Sequence, residues 1–138
     1  MARYPVVVYG ASGYTGMLIM DWLIDQQVPF TAVARNAKRV QEMMAQRVVR
    51  LESATYEIIE SEHDVDALVK AFKGARVVCN TVGPFVNFGL TTVEAALKAG
   101  CHHIDTTGEQ GYIRAVRDHF SEQFRQVGRL VSPSVAYM

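Results

Sequence analysis

Three glycines spaced three residues apart stand near the start of the chain, in the segment Gly10-Ala11-Ser12-Gly13-Tyr14-Thr15-Gly16. The segment follows the β-branched run Val6-Val7-Val8-Tyr9 and leads into an apolar stretch of helical period. In a strand-turn-helix unit, the first glycine permits the tight turn, the second lets a phosphate approach the backbone, and the third lets helix and strand pack closely. Unpaired N–H groups and the helix dipole then attract the anion. We therefore predict a phosphate site at Gly10, Ser12, Gly13, Tyr14, Thr15 and Gly16.

A basic segment, Arg35-Asn36-Ala37-Lys38-Arg39, follows the second predicted strand. Dinucleotide sites that select NAD carry a carboxylate near this point, which accepts a hydrogen bond from the ribose 2′-hydroxyl. A guanidinium suits a 2′-phosphate instead, because its fork can contact two phosphate oxygens, and Asn36 can cap the helix that follows. Arg35 and Asn36 therefore predict an NADP site, whereas Lys38 and Arg39 can equally form a solvated helix start.

Short apolar runs alternate with longer segments of helical period along the whole chain. The predicted strands are Pro5–Tyr9, Phe30–Ala34, Thr55–Ile59, Arg76–Thr81, His102–Thr106 and Arg129–Ser132. The predicted helices are Tyr14–Gln26, Ala37–Gln46, Val65–Phe72, Thr91–Ala99 and Gln110–Gln126. This alternation is typical of βαβ units around a parallel sheet.

The predicted fold is α/β, a doubly wound parallel sheet of about six strands in the order 3-2-1-4-5-6, as in a Rossmann dinucleotide-binding fold. Gly74 and Gly100 stand where the third and fourth helices should end. We expect residues 1–138 to form a single domain. The first helix contains Leu18, Ile19, Trp22 and Leu23, all of which we expect in the core.

Composition excludes several classes of function. Fourteen basic residues balance fourteen acidic ones, so no net field attracts nucleic acid or an anionic membrane. No segment has the length and apolarity of a membrane span, and no leader precedes the first strand, so we expect a cytoplasmic protein. The cysteines, Cys79 and Cys101, match neither a zinc spacing nor a redox pair and are expected to be buried and reduced.

A second block of motifs is more specific than a generic dinucleotide-binding fold. It comprises Val77-Val78-Cys79-Asn80-Thr81-Val82-Gly83-Pro84-Phe85, Gly89, the helix Thr92–Ala99, Gly100-Cys101-His102-His103-Ile104-Asp105 and Gly108-Glu109. Together with the glycine turn, these residues resemble the N-terminal domain of saccharopine dehydrogenase-like oxidoreductases, and look closest to the branch of trans-acting enoyl reductases. The resemblance covers nearly the whole chain.

The resemblance implies a cofactor role for Val82, Gly83, Pro84 and Phe85, beside the ribose and nicotinamide. A Gly-Pro turn can also simply end a strand, so both interpretations remain. Asp105, Thr107 and Glu109 can face the cofactor or a substrate domain, and Glu109 can equally favour a helix N-terminus. Because His102 and His103 are neighbours in a strand, they point to opposite faces and cannot ligate one metal. We predict no metal site.

We therefore hypothesise that the chain is the cofactor domain of an NADP-dependent oxidoreductase. Such an enzyme would move a hydride to or from a C=N, C=O or C=C bond of a small-molecule or acyl substrate. No residue pattern here indicates a catalytic acid, base or nucleophile. The alternative is a non-catalytic NADP(H) sensor resembling NmrA-like regulators.

Members of the resembled family are longer and have a second domain that encloses the cofactor, which these residues lack. We therefore expect the chain alone to bind cofactor without turnover. We also expect self-association through an apolar edge near Phe85, Phe88 and Tyr137, giving a homo-oligomer.

Overall fold

The computed structural model describes residues 1–48 and 50–136. Its strands are β1 (Val6–Tyr9), β2 (Phe30–Ala34), β3 (Tyr56–Glu60), β4 (Val77–Asn80), β5 (His102–Asp105) and β6 (Val131–Ser132). Its helices are α1 (Tyr14–Asp25), α2 (Ala37–Arg47), α3 (Val65–Phe72), α4 (Phe85–Ala99) and α5 (Gln110–Gln126). A short 3-10 turn, Leu51–Ser53, lies between α2 and β3, where the sequence shows no helical or strand period.

The six strands form one parallel sheet in the order β3-β2-β1-β4-β5-β6, which confirms the predicted topology. The order reverses between β1 and β4, because β2 and β3 continue to one side and β5 and β6 to the other. In open α/β sheets a ligand crevice forms at this reversal, beyond the carboxyl ends of the strands. Gly10, at the end of β1, and Thr81, at the end of β4, stand there.

Two separate apolar clusters pack on the two faces of the sheet. On one face, Val7 and Val78 pack with residues of α3, α4 and α5, including Leu68, Val93 and Val116. On the other, Val8, Phe30 and Ala32 pack with residues of α1 and α2, including Met20 and Met44. The alternating burial of each strand follows from this arrangement, because successive side chains point to opposite faces.

The face that α1 and α2 cover is protected only over β1, β2 and β3. The apolar cluster on that face contains no residue of β4, β5 or β6 among the residues that the structure describes. Beside this open half of the sheet, Trp22 is 62% exposed and Leu18 is 47% exposed. The prediction that both lie in the core was therefore wrong, although Leu23 is buried and Ile19 is partly buried. Helical period identified the apolar positions of α1, but no element within the described residues covers Leu18 and Trp22.

Most predicted element bounds agree with the structure to within one or two residues; α4 is the main exception. It begins at Phe85, six residues before the predicted start at Thr91. The Glu109 carboxylate accepts hydrogen bonds from the backbone N–H groups of Phe85 (2.7 Å) and Val86 (3.1 Å), which satisfies the start of the helix. Position 89, inside the helix, is a glycine because the Tyr112 ring occupies the space that a Cβ would need. Neither contact is visible in local sequence.

Candidate functional site

A cleft of about 380 Å³ lies at the carboxyl edge of the sheet, over the ends of β1, β2 and β4. It is lined by backbone of the glycine turn, by the segment after β2, and by the segment after β4. The lining residues predicted from sequence are Gly10, Ser12, Gly13, Arg35, Asn36, Val82 and Gly83. Residues from three distant parts of the sequence thus meet in one cavity.

The glycine turn needs its glycines for different reasons. Gly10 has a φ of +87°, and a Cβ there would collide with the Thr81 hydroxyl. A Cβ at Gly16 would collide with the Gly10 carbonyl oxygen, so helix and turn can approach only without a side chain. At Gly13 a Cβ would meet only the Gly10 carbonyl, at 3.4 Å, and the residue is exposed to the cleft. Gly10 and Gly16 therefore hold the fold, whereas Gly13 leaves open the approach to the backbone.

The N-terminus of α1 opens at this turn without a side-chain cap, since its N-cap residue is Gly13. By contrast, Asn36 caps α2 through the Arg39 N–H (3.0 Å), and Asp64 caps α3 through the Ala67 N–H (2.8 Å). The first N–H groups of an α-helix have no acceptor within the helix. Those of α1 are therefore available to an anion in the cleft, with the helix dipole adding to the attraction.

The segment after β2 supplies positive charge to the same cleft. Arg35 and Arg39 line it and are exposed, and no ion pair joins either guanidinium to a carboxylate within residues 1–48 and 50–136. The Glu60 carboxylate accepts a hydrogen bond from the Ala37 N–H (3.1 Å), so the start of α2 is satisfied from within the chain. The two guanidinium groups are thus the cationic side chains that line this end of the cleft. Lys38 does not line the cleft.

The other predicted site residues lie outside the cleft. Tyr14 is exposed on α1, and the Thr15 side chain borders a second groove on the other side of the turn. Gly16 is buried at the helix-strand contact. Pro84 is exposed and precedes α4, after a cis Gly83–Pro84 peptide bond. Phe85 is buried against Tyr112, with ring centroids 5.4 Å apart, so the expected apolar edge does not include it.

Phe88 is partly exposed at the cleft, and Tyr137 lies outside the described residues.

The polar residues after β5 form a structural network. Asp105 is buried and accepts hydrogen bonds from the Tyr112 hydroxyl (2.7 Å), the Thr107 N–H (3.1 Å) and the Ser134 N–H (2.9 Å). Burial, and then the adjacent Asp105 carboxylate, raise the pKa of Tyr112 well above its usual range. Of the two interpretations of Glu109, the helix N-terminus is the one observed, but the helix is α4 rather than the adjacent α5.

One cleft residue, His63, was missed by sequence analysis. Its Nδ1 atom lies 2.6 Å from the Tyr9 hydroxyl, and its ring meets the Phe88 ring edge-on with centroids 5.2 Å apart. Burial lowers the pKa of His63, and the nearby Arg35 lowers it further, although the Phe88 carbonyl and Asp64 oppose the shift. Burial also raises the pKa of Tyr9 to about 12. His63 follows β3 without a motif, so only the folding of that loop over β1 brings it to the cleft.

The remaining candidates have structural surroundings. His103 is fully buried, while His102 is half-buried and its Nδ1 accepts a hydrogen bond from the Leu130 N–H (2.9 Å). Cys101 is buried as predicted, but Cys79 is only partly buried, and both are free thiols. No group of three His, Cys, Asp or Glu side chains within the described part of the chain is arranged to hold a metal ion. None of the helices in the described ranges is long and apolar enough to cross a membrane.

Comparison with known proteins gives a consistent set of relatives. The family model of the saccharopine dehydrogenase NADP-binding domain matches residues 6–125. The chain is 32% identical to the lipid droplet localized protein of Caenorhabditis elegans, covering 93% of this chain and 32% of that protein. It is 28% identical to the trans-acting enoyl reductase of Mycobacterium ulcerans (91% and 30% covered). It is 27% identical to the mouse saccharopine dehydrogenase-like oxidoreductase (91% and 32%). The chain thus spans about a third of the length of these relatives.

Solved structures support the fold. The structure of apo saccharopine dehydrogenase from Saccharomyces cerevisiae superposes with a TM-score of 0.73 at 16% identity, covering 96% of this chain and 27% of that one. The NADPH complex of the Escherichia coli quinone oxidoreductase QOR2 superposes with a TM-score of 0.62 at 18% identity, covering 93% and 47%. At these identities the likeness concerns the fold alone. With a family model matching most of its length, the chain belongs to the saccharopine dehydrogenase NADP-binding domain family.

Proposed function

We propose that this chain binds NADP(H) in the cleft at the carboxyl edge of the sheet and serves as the cofactor-binding part of an oxidoreductase. The observation that carries the proposal is the pairing of an uncapped helix N-terminus with two unpaired guanidinium groups in one cavity. A dinucleotide carries a pyrophosphate, and NADP adds a phosphate on the adenosine ribose. The cavity offers a separate anion-binding group for each.

The residues divide between the two phosphate positions. Backbone N–H groups from Tyr14 to Gly16 would hold the pyrophosphate, with the Ser12 hydroxyl as an additional donor, while the Gly13 N–H already donates to the Gly10 carbonyl (3.0 Å). Arg35 and Arg39 would hold the 2′-phosphate by charge-assisted hydrogen bonds. The Asn36 side-chain oxygen already accepts from the Arg39 N–H, so Asn36 contributes by fixing the start of α2. Val82 and Gly83 would border the ribose on the β4 side.

When bound, the nicotinamide would donate a hydride to, or accept one from, a C=N, C=O or C=C bond of the substrate. Among the residues that line the described cleft, His63 carries the only imidazole, burial lowers its pKa, and its Nδ1 is paired with the Tyr9 hydroxyl. The cleft otherwise presents backbone, guanidinium, hydroxyl, amide and apolar groups. This chain would therefore bind the cofactor, and groups outside it would activate the substrate. The isolated chain should bind NADPH without oxidising it.

The test is cofactor selectivity, measured by titration calorimetry with NADPH and NADH. We expect Arg35→Ala to reduce the preference for NADPH by about ten- to a hundredfold, since a charge-assisted contact contributes roughly 1.5 to 3 kcal/mol. Lys38→Ala is the matched control, because it removes an equal charge from the same segment but from outside the cleft. Equal affinity of the unmodified chain for NADPH and NADH would refute the NADP assignment. Absence of binding by either cofactor would refute the proposed function.

A further inference from the structure

His63 lines the cofactor cleft but has no part in the phosphate contacts described so far. It borders the same cavity as Arg35 and Arg39, which lie on the segment after β2. The charge of Arg35 acts on the His63 ring, since that guanidinium is among the groups that lower the pKa of His63. A phosphate bound at Arg35 would therefore act on His63 as well.

Aromatic contacts hold the His63 ring in the wall of the cleft. Its Nδ1 lies 2.6 Å from the Tyr9 hydroxyl at the end of β1, and the planes of the two rings are within 3° of parallel. The Phe88 ring of α4 meets it edge-on. The Nε2 atom is buried and makes no hydrogen bond within residues 1–48 and 50–136. Protein therefore surrounds both nitrogens before any cofactor binds.

The surroundings of the ring accommodate both of its protonation states. A neutral imidazole has one donor and one acceptor nitrogen, whereas a protonated imidazole has two donors. The Tyr9 hydroxyl can donate to a neutral Nδ1 or accept from a protonated one, and burial raises the pKa of Tyr9 to about 12, which keeps that hydroxyl intact. The Phe88 carbonyl favours the protonated ring. His63 can thus gain a proton without rearrangement of its neighbours.

The charged and titratable groups around the ring come from several elements. They are the Tyr9 hydroxyl of β1, the Arg35 and Arg39 guanidinium groups after β2, and the Asp64 carboxylate at the start of α3, while α4 contributes the uncharged Phe88. Burial lowers the pKa of His63 most, Arg35 lowers it further, and Asp64 raises it. Asp64 is committed to α3, because its Oδ1 accepts from the Ala67 N–H (2.8 Å). Arg35 is therefore the charge near His63 that a bound phosphate would neutralise.

A 2′-phosphate at Arg35 would change the charge beside His63 more than its hydration. The phosphate carries a charge of about −1.5 to −2 near neutral pH, so its pair with Arg35 is negative where the free guanidinium is positive. A negative neighbour favours a protonated imidazole. Desolvation, which opposes protonation, would increase little, since both nitrogens of His63 are already surrounded by protein.

We propose that His63 is a specificity-determining residue of the cofactor cleft, which takes up a proton from solvent when NADP(H) binds and so strengthens selection of the 2′-phosphate as the pH falls. The inference rests on the proposed function, because it needs the 2′-phosphate at Arg35. NAD(H) carries a ribose hydroxyl at that point, so its binding should leave the proton occupancy of His63 nearly unchanged.

Linkage gives the direction of the pH dependence. If the complex holds the proton of His63 more tightly than the free chain does, the affinity for NADPH rises as the pH falls through the pKa of His63 in the complex, and levels off below its pKa in the free chain. The 2′-phosphate also titrates, near about pH 6, and its protonation weakens binding at low pH. A variant without the imidazole keeps this second effect, so comparison with that variant isolates His63.

Nuclear magnetic resonance of the histidine rings measures the proton directly. The chain contains four histidines, and the His63 signal can be assigned from the contacts of its ring with Tyr9 and Phe88. Its pKa is measured in the free chain and with the cleft filled by NADPH or by NADH. We expect NADPH to raise the pKa of His63 by about 0.5 to 1, less than the roughly 1 to 3 that a charge in direct contact produces. NADH should leave it nearly unchanged.

Calorimetry tests the consequence for selectivity. The ratio of NADPH to NADH affinity is measured at about pH 7.5 and about pH 5.5, with the fold checked by circular dichroism at each pH. On acidification the ratio should rise about three- to tenfold more in the unmodified chain than in His63→Gln, because a pKa change of 1 corresponds to a factor of about ten. The matched control is His119→Gln, which removes an exposed imidazole of α5 outside the cleft and should behave like the unmodified chain.

Two results would overturn the inference: a His63 pKa that NADPH raises no more than NADH does, or a selectivity ratio whose pH dependence is the same in His63→Gln as in the unmodified chain. If NADPH is still preferred over NADH in either case, the proposed function stands and His63 is only a structural part of the cleft wall. Absence of NADPH binding at every pH would instead refute the proposed function, and this inference with it.

Discussion

The two halves of the sheet have the same parallel hydrogen bonding but different surroundings. Around β1, β2 and β3, helices cover both faces, and the ends of β1 and β2 carry the glycine turn and the arginines. Around β4, β5 and β6, helices cover one face, and the other presents Cys79 and Ile104 to an open groove. The first half thus carries the residues proposed to bind phosphate, whereas the second half leaves apolar side chains exposed on one face among the described residues.

The largest expected effect is on the phosphate turn of the first half. Gly13→Val should reduce NADPH binding below detection while the chain still folds, because a side chain there would block the backbone N–H groups yet meet little of the protein. Gly16→Val should instead prevent folding, since its Cβ would collide with the Gly10 carbonyl. Calorimetry and circular dichroism separate the two outcomes. Normal NADPH affinity in Gly13→Val would contradict the assignment of the turn.

The next effect compares two large apolar residues on the same face of the sheet. Phe30→Ala, in the covered half, should cost about 3–5 kcal/mol of unfolding free energy, because it leaves a cavity in a fully packed cluster. Ile104→Ala, in the open half, should cost only about 1 kcal/mol, since the removed atoms are already partly in contact with solvent. Urea denaturation measures both. Similar costs at the two positions would mean that the open half is covered in solution.

A third effect concerns the buried side of β5. Burial lowers the pKa of His103 to about 4, against the nearby Asp105 carboxylate, which acts to raise it. A histidine in an unfolded chain has a pKa of about 6.5. Between about pH 4 and about pH 6.5, the unfolded chain therefore binds a proton at His103 that the native chain does not. Stability should therefore be full above about pH 6.5 and fall by up to about 3 kcal/mol as the pH drops to about 4.

Denaturation curves across this pH range test the role of His103. His103→Leu should remove most of the fall in stability, while His102→Leu, on the opposite face of the same strand, should retain it. A chain whose pH dependence survives His103→Leu unchanged would contradict the assignment to this side chain.

The smallest effect is at the start of α4, on the covered face of the second half. Glu109→Ala removes the acceptor of the Phe85 and Val86 N–H groups, and loss of such a cap costs about 1 kcal/mol. Glu109→Gln keeps one acceptor oxygen and should cost less. Thermal unfolding measures the stability, and amide exchange at Phe85 and Val86 reports the local effect. Unchanged exchange at both amides in Glu109→Ala would show that the helix start is held by other contacts.

The sequence by itself determined the order and type of the elements. Continuous apolar runs indicate buried strands, helical period indicates helices, and glycines mark helix ends, and all three are local patterns. The structural roles of Gly10 in the turn and Gly16 in helix packing could be predicted from the spacing alone, since backbone geometry limits what each position tolerates, whereas the role of Gly13 in phosphate binding stays a prediction. The basic segment after β2 was also predictable, as was the capping of α2 by Asn36, because a short polar side chain before a helix reaches its own first turn.

Only the tertiary structure decided which side chains meet across the sheet. His63 reaches Tyr9, and Glu109 reaches the start of α4, through contacts between residues 54 and 23–24 positions apart, which no local pattern encodes. The exposure of Trp22 was also undetermined by sequence, since an apolar helix position becomes core only where another layer packs on it. Over β4, β5 and β6 no such layer is among the described residues, and the same apolar pattern that builds a core elsewhere leaves apolar side chains exposed there.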